Sequence, residues 1–178
     1  MFNQYTLTRA HKFINIIILL IIFILTNFKT SAEEIKKIGK FKDWETIVLK
    51  SNDEMTCFAQ SKPVLQAPKK DIREARLFIS FRPGEKVTNE ISITSGYNYN
   101  TKNSIKAISG KNKYTFDIVR ENFAWITDKN FEKKMIKTMK KGSRIMVKAY
   151  NQKGSQTIDH YSLLGFTKAY KATKANCS

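Results

Sequence analysis

From residue 44 onward, apolar and polar residues alternate with a period of two over much of the chain. In Arg76–Arg82, Leu77, Ile79 and Phe81 share one face, and Ile91 and Ile93 do so in the next run. Tyr114, Phe116 and Ile118 repeat the pattern, as do Ile145, Val147 and Ala149. Alternation over such short runs marks strands buried on one side. Glu45–Lys50, Met55–Ala59, Ser104–Ser109, Asn122–Thr127 and Ser155–Tyr161 are further candidates. Turn-forming residues separate them at Pro83-Gly84, Gly110-Lys111-Asn112 and Gln152-Lys153-Gly154, the last two placed as hairpin turns.

Two segments change to a helical period. In Asn130–Lys141, Phe131, Met135 and Met139 lie four apart and predict the inner face. Lys133, Lys134, Lys137, Lys140 and Lys141 fall opposite them by the 100° step of a helix. Asp128 or Asn130 can cap the start, and Gly142 is expected to stop the helix in the left-handed conformation. A second helix is expected over Leu163–Thr173, with Ser162 as N-cap and Leu163, Phe166, Ala169, Tyr170 and Thr173 turned inward. About nine short strands and two short amphipathic helices, one of them C-terminal, predict a mainly β single domain. An antiparallel sandwich or barrel is the natural architecture, with the helices covering an open end or a strand edge.

Ahead of this domain the character changes. Residues 1–32 carry Arg9, Lys12 and Lys29 and no acid, and an apolar run from Phe13 to Leu25 is broken only by Asn15. Thr30-Ser31-Ala32 then supplies small residues for cleavage before Glu33, which completes the order of a secretory signal peptide. An uncleaved anchor is the alternative, but the run falls short of the roughly 20 residues that span a bilayer as a helix. Residues 33–178 are the size of one domain, and no linker, repeat or low-complexity tract divides them. They hold 29 basic and all 15 acidic residues, a net charge of +14. Such a charge favours anionic partners, either a membrane surface or an acidic polymer. Nucleic acid is an improbable target for an exported chain. The expected location is the periplasm or the outer membrane, or outside the cell. In that setting the two cysteines, Cys57 and Cys177, suggest a bridge, two free thiols being the alternative. It would close a loop of about 120 residues and stabilise by roughly 4–5 kcal/mol in the chain-entropy account.

The chemistry-bearing residues form no credible active site. Asp159-His160-Tyr161-Ser162 places Ser, His and Asp together, but neighbours along a strand point to opposite faces and cannot relay a proton as a triad does. One histidine and two cysteines in residues 33–178 do not make a metal site of three or four ligands. No glycine-rich phosphate loop occurs, and no cofactor is expected. An enzyme would be exposed by a deep pocket with converging carboxylates. The lysine face of the first helix is the sharpest positive feature. It reads as the solvated side of an ordinary helix, or as a face for anionic lipid or polysaccharide at about 1 kcal/mol per basic residue near a membrane. Tyr97-Asn98-Tyr99-Asn100 reads as a binding loop at a sandwich end or as a turn.

Ala124-Trp125, Met139-Lys140-Lys141-Gly142 and Asp159-x-Tyr161-Ser162-Leu163-x-Gly165-Phe166-Thr167-x-Ala169, closing on Cys177, resemble the invasion-associated locus B family. Asp43-Trp44, Cys57, Ser61-Lys62-Pro63 and Arg82-Pro83 extend the resemblance more loosely over the first half. The resemblance implies an exported alphaproteobacterial protein with a β-sandwich-like fold and a Cys57–Cys177 bridge. It carries no catalytic residues. Its link to red-cell invasion in some blood-borne pathogens does not define an activity, since free-living bacteria carry such proteins too. The expectation is a non-catalytic interaction module of the cell envelope, with an envelope protein or an anionic envelope component as partner. A surface-exposed or secreted factor promoting host-cell contact is the second reading.

Overall fold

The computed structural model describes residues 33–52, 54–70 and 72–177, and the alternating runs within them form two antiparallel sheets. The signal peptide expected over residues 1–32 lies outside the described residues. Among the described residues the strands are β1 (Glu34–Phe41), β2 (Trp44–Ser51), β3 (Glu54–Ser61), β4 (Leu65–Ala67), β5 (Arg76–Arg82), β6 (Val87–Thr94), β7 (Ile105–Ser109), β8 (Asn112–Phe116), β9 (Ile118–Arg120), β10 (Phe123–Trp125), β11 (Arg144–Tyr150) and β12 (Gln156–Ser162). The helices are α1 (Lys129–Lys141) and α2 (Phe166–Asn176). One sheet runs β1-β2-β3-β5-β6-β10-β9 and the other β4-β12-β11-β7-β8, so the protein is a mainly β sandwich and neither sheet closes into a barrel.

The inner faces meet in one apolar core. Leu77, Ile79, Ile91 and Ile93 of the larger sheet and Ile105, Ala107, Ile145 and Val147 of the smaller are all essentially inaccessible. The expected hairpins at Gly110 and Gly154 are present, joining β7 to β8 and β11 to β12. Burying these side chains removes apolar area from water at about 25 cal/mol per Å², the main driving force for closing the sandwich. Trp44 ties the sheets together: its ring packs edge-on to Phe166 at 4.9 Å, and its Nε1–H donates to the Ser162 carbonyl at 2.9 Å. Cys57 and Cys177 are bridged, with their Cα atoms 5.9 Å apart, so α2 is fastened to β3. Thr46 adds a buried hydrogen bond to the Ala169 carbonyl on the same helix.

Several local expectations are corrected. Ile118 does not continue the Tyr114/Phe116 face. The chain breaks at Asp117, and Ile118 opens β9 in the other sheet, where it is 39% exposed. The second helix begins at Phe166, three residues later than its apolar spacing predicts, and Leu163 is buried ahead of it. Ser162 caps the turn before the helix, its Oγ accepting the Leu164 N–H, while Gly165 holds the N-cap position. Gly165 has φ +93°, and a Cβ there would fall 1.8 Å from the Phe41 carbonyl oxygen, so only glycine fits where β1 crosses the helix start. Gly142 is not left-handed. It is extended (φ −83°, ψ 167°), and what favours glycine is space, since a Cβ would meet the Leu163 side chain and the Thr138 carbonyl at 3.1 Å.

Candidate functional site

The lysine helix α1 begins at Asp128, whose carboxylate accepts the N–H groups of Asn130 and Phe131 at 2.7 and 3.2 Å. That capping settles the choice between Asp128 and Asn130, and it suits the positive end of the helix dipole. The helix lies one residue further round than its methionine spacing predicts. Glu132, Met135, Ile136 and Met139 are buried, whereas Phe131 is 40% exposed and packs edge-on against Tyr114 at 6.3 Å. Tyr114 gives Phe131 an apolar neighbour at the rim, and the inner position passes to the neighbouring Glu132.

Lys133, Lys134, Lys137 and Lys141 are exposed, and no ion pair among the described residues involves them. Lys137, Lys141 and Arg144 line an open hollow of about 620 Å³ with Ser109, Asn112 and Ser143. A smaller hollow of about 290 Å³ shares Lys137 and adds Lys113 and Lys134. Lys140 departs from the rest. Its ammonium sits 3.9 Å from the Tyr170 ring centroid, and desolvation, with Lys171 and Lys174 nearby, lowers its pKa. The structure therefore brings four of the five lysines into one open face and turns Lys140 toward α2, where cation–π attraction holds it.

A second site was not legible as a sequence motif. Where the ends of β5 and β6, β9, β10, the 3₁₀ turn Pro83–Glu85 and the first turn of α1 meet, an open cleft of about 530 Å³ is lined by Arg82, Glu90, Arg120, Trp125, Lys129 and Glu132, among others. Arg82 holds Glu90 through two bonds of 2.8 and 2.9 Å and Glu85 at 3.0 Å. Glu132 is only 3% exposed, its Oε1 accepts the Ile91 N–H at 3.0 Å, and burial pushes its pKa up to about 7 against the pull of that bond and of Lys129. Phe123 stacks on Trp125 at 5.7 Å. These residues come from β5, β6, β9, β10 and α1, so no spacing announces them.

The other candidates resolve into structure. Asp159 is fully buried and paired with Arg73 at 2.7 and 3.0 Å, and Gln66 donates to the same carboxylate. Arg73 also donates to the Ser95 and Ala67 carbonyls, which fastens the 65–75 segment to β12. His160 faces the opposite side of β12, and Ser162 serves its turn, so the three do not form a triad. Tyr99 is buried with its hydroxyl on Ser95, and the Tyr97 hydroxyl is bonded to Thr157, so these tyrosines pin a loop to the sandwich and are not a free binding surface. Among the described residues no three His, Cys, Asp or Glu side chains are grouped to hold a metal, and no helix is long and apolar enough to cross a membrane.

No curated protein and no solved structure matches the chain. Residues 44–174 match the family model described as Invasion associated locus B (IalB) protein. That span takes in every strand but β1, all of α1, and α2 but for its last two residues; the chain belongs to the invasion associated locus B family.

Proposed function

We propose that the protein is an exported, non-catalytic interaction module of the cell envelope that docks on an anionic envelope component through the exposed face of α1. The observation that carries this reading is a cluster of cations without counter-charges. Lys134, Lys137 and Lys141 line two open hollows with Lys113 and Arg144, Lys133 is exposed on the same helix, and none of the six is ion-paired among the described residues. Export is supported by the order of residues 1–32 and by a disulfide, which oxidising compartments favour. Against catalysis stands the state of the cleft carboxylates: Glu85 and Glu90 are both held by Arg82, and Glu132 is bonded to backbone.

Cosedimentation with vesicles tests the docking face. The oxidised protein is expected to bind vesicles rich in anionic phospholipid at low salt and to leave them as salt shortens the Debye length toward about 8 Å near physiological strength. Replacing Lys133, Lys137 and Lys141 by Glu should abolish that binding without changing the melting temperature, because all three are exposed. Unchanged binding by this triple variant would sink the assignment.

A further inference from the structure

The cleft at the free edge of the larger sheet has a composition unlike the rest of the surface. Residues 33–178 carry nearly two bases for every acid, yet here three bases, Arg82, Arg120 and Lys129, face three acids, Glu85, Glu90 and Glu132. With Glu132 partly protonated near neutrality, the site carries only a small net charge within a strongly cationic molecule, so a charged ligand gains little from entering it. It is nevertheless rich in directional groups. Arg120 makes no ion pair or hydrogen bond to another described side chain and offers donors. The Arg82–Glu90 fork presents donors and acceptors side by side in a fixed geometry. Thr127 stands at the rim, held by Asp117 through its N–H and its hydroxyl.

The apolar component is equally specific. β9 is the edge strand of the sheet, and its Ile118 lies opposite Trp125 in the β9–β10 register. Ile118 is 39% exposed, and Trp125 is half-buried, with Phe123 stacked on it so that the indole is braced. The row of rings continues from Phe123 to Phe78 at 6.1 Å and from Phe78 to Phe58 at 5.9 Å, along the face of the sheet turned away from the core. Neither Trp125 nor Ile118 belongs to the buried apolar core.

An indole face attracts weakly positive C–H groups, and buried or fixed polar groups ask for a ligand that can donate and accept at neighbouring atoms. A hydroxyl does both. A ring with C–H bonds on one face and hydroxyls around its rim satisfies the indole, the guanidinium and the carboxylates together, without bringing a net charge. We propose that this cleft is a binding site for an uncharged saccharide, with one sugar ring stacked on Trp125, Arg120 and the Arg82–Glu90 fork hydrogen-bonding its hydroxyls, and the Phe123–Phe78 row guiding further rings of an oligosaccharide. The site is separate from the lysine face of α1 and does not depend on it.

The chain has only two tryptophans, and they report independently. Trp44 is fully buried with its N–H on Ser162, whereas Trp125 lines the cleft. Nitrogen-15 spectra of the oxidised protein are recorded while cellotriose, maltotriose and triacetylchitotriose are each titrated in. The expected result is a saturable shift of the Trp125 indole N–H with at least one sugar, the Trp44 signal staying still. Trp125→Phe should weaken that binding several-fold and Arg120→Ala should weaken it further. The Lys133/Lys137/Lys141→Glu variant should bind the sugar unchanged. If none of the three sugars moves the Trp125 signal, or if dextran sulfate moves it more than the neutral sugars do, the proposal fails.

Discussion

Glu132 shows what one misplaced charge does to a small domain. A carboxyl group that is 3% exposed prefers to stay protonated, and its pKa is raised from 4.5 to about 7. The folded state therefore keeps a proton that the unfolded chain gives up at lower pH. By linkage, the associated stability is fully present below about pH 4.5 and is lost as pH rises through 7. Glu45, Glu74 and Asp117 are shifted the other way, Glu45 and Glu74 chiefly by side-chain bonds to Lys37 and Arg76 and Asp117 by its bond to Thr127, so their contributions fade only in acid. Glu132→Gln, which can still accept the Ile91 N–H, is expected to flatten the pH profile between 5 and 7.5. It should stabilise the protein at pH 8 by on the order of 1–2 kcal/mol, read from urea midpoints. A variant that keeps the wild-type slope would show that another group titrates there. No sequence pattern announces this residue, because a lone glutamate in a lysine-rich helix reads as solvent-facing. Its burial comes from the approach of β6, which lies 40 residues earlier in the chain.

At the scale of elements, period was legible and phase was not. The spacing of Met135 and Met139 identified α1 and its length, but the helix is rotated so that Phe131 yields the inner face to Glu132 and Ile136. Phase depends on what the neighbours offer, and Tyr114 at the rim is invisible to a helical wheel. The three-residue strands β4, β9 and β10 are too short for alternation to declare them individually, although β10 fell within the Asn122–Thr127 run; the cleft is built on β9 and β10. Gly165 is a different case: it stands in the stretch that carries the family resemblance, but its contact with Phe41 was not readable from the sequence. The crossing of β1 over the start of α2 leaves no volume for a side chain, and the backbone there is left-handed. Gly165→Ala is expected to cost about 3 kcal/mol through strain and overpacking. Urea denaturation checks this, and a loss within about 0.5 kcal/mol, the range of an ordinary surface substitution, would contradict the tight crossing.

For the whole molecule, the alternating runs give the mainly β class directly, because half-buried strands at this density have few ways to pack besides two facing sheets. The order of strands within the sheets was not readable, since it depends on long-range pairing such as β6 with β10 and β12 with β4. The Cys57–Cys177 bridge links an early strand to the last helix across 120 residues. Replacing both cysteines by Ala is expected to destabilise the fold by about 3–5 kcal/mol, measured as a drop in urea midpoint together with a steeper slope, since the uncrosslinked unfolded chain exposes more surface. A loss below about 1 kcal/mol would mean that α2 is held by Trp44, Thr46 and Phe166 alone.

The same bridge imposes an order in time. A chain that emerges from its N-terminal side presents the Cys57 thiol long before Cys177 exists to meet it. Through that interval the Cys57 thiolate can attack another molecule's disulfide, forming a mixed disulfide and releasing that disulfide's second sulfur as a thiol, and β3 carries it on the face that α2 later covers. Closing the bridge releases two protons and two electrons that an oxidant must take, and because the sequence holds two cysteines, every wrong pairing is a pairing between molecules.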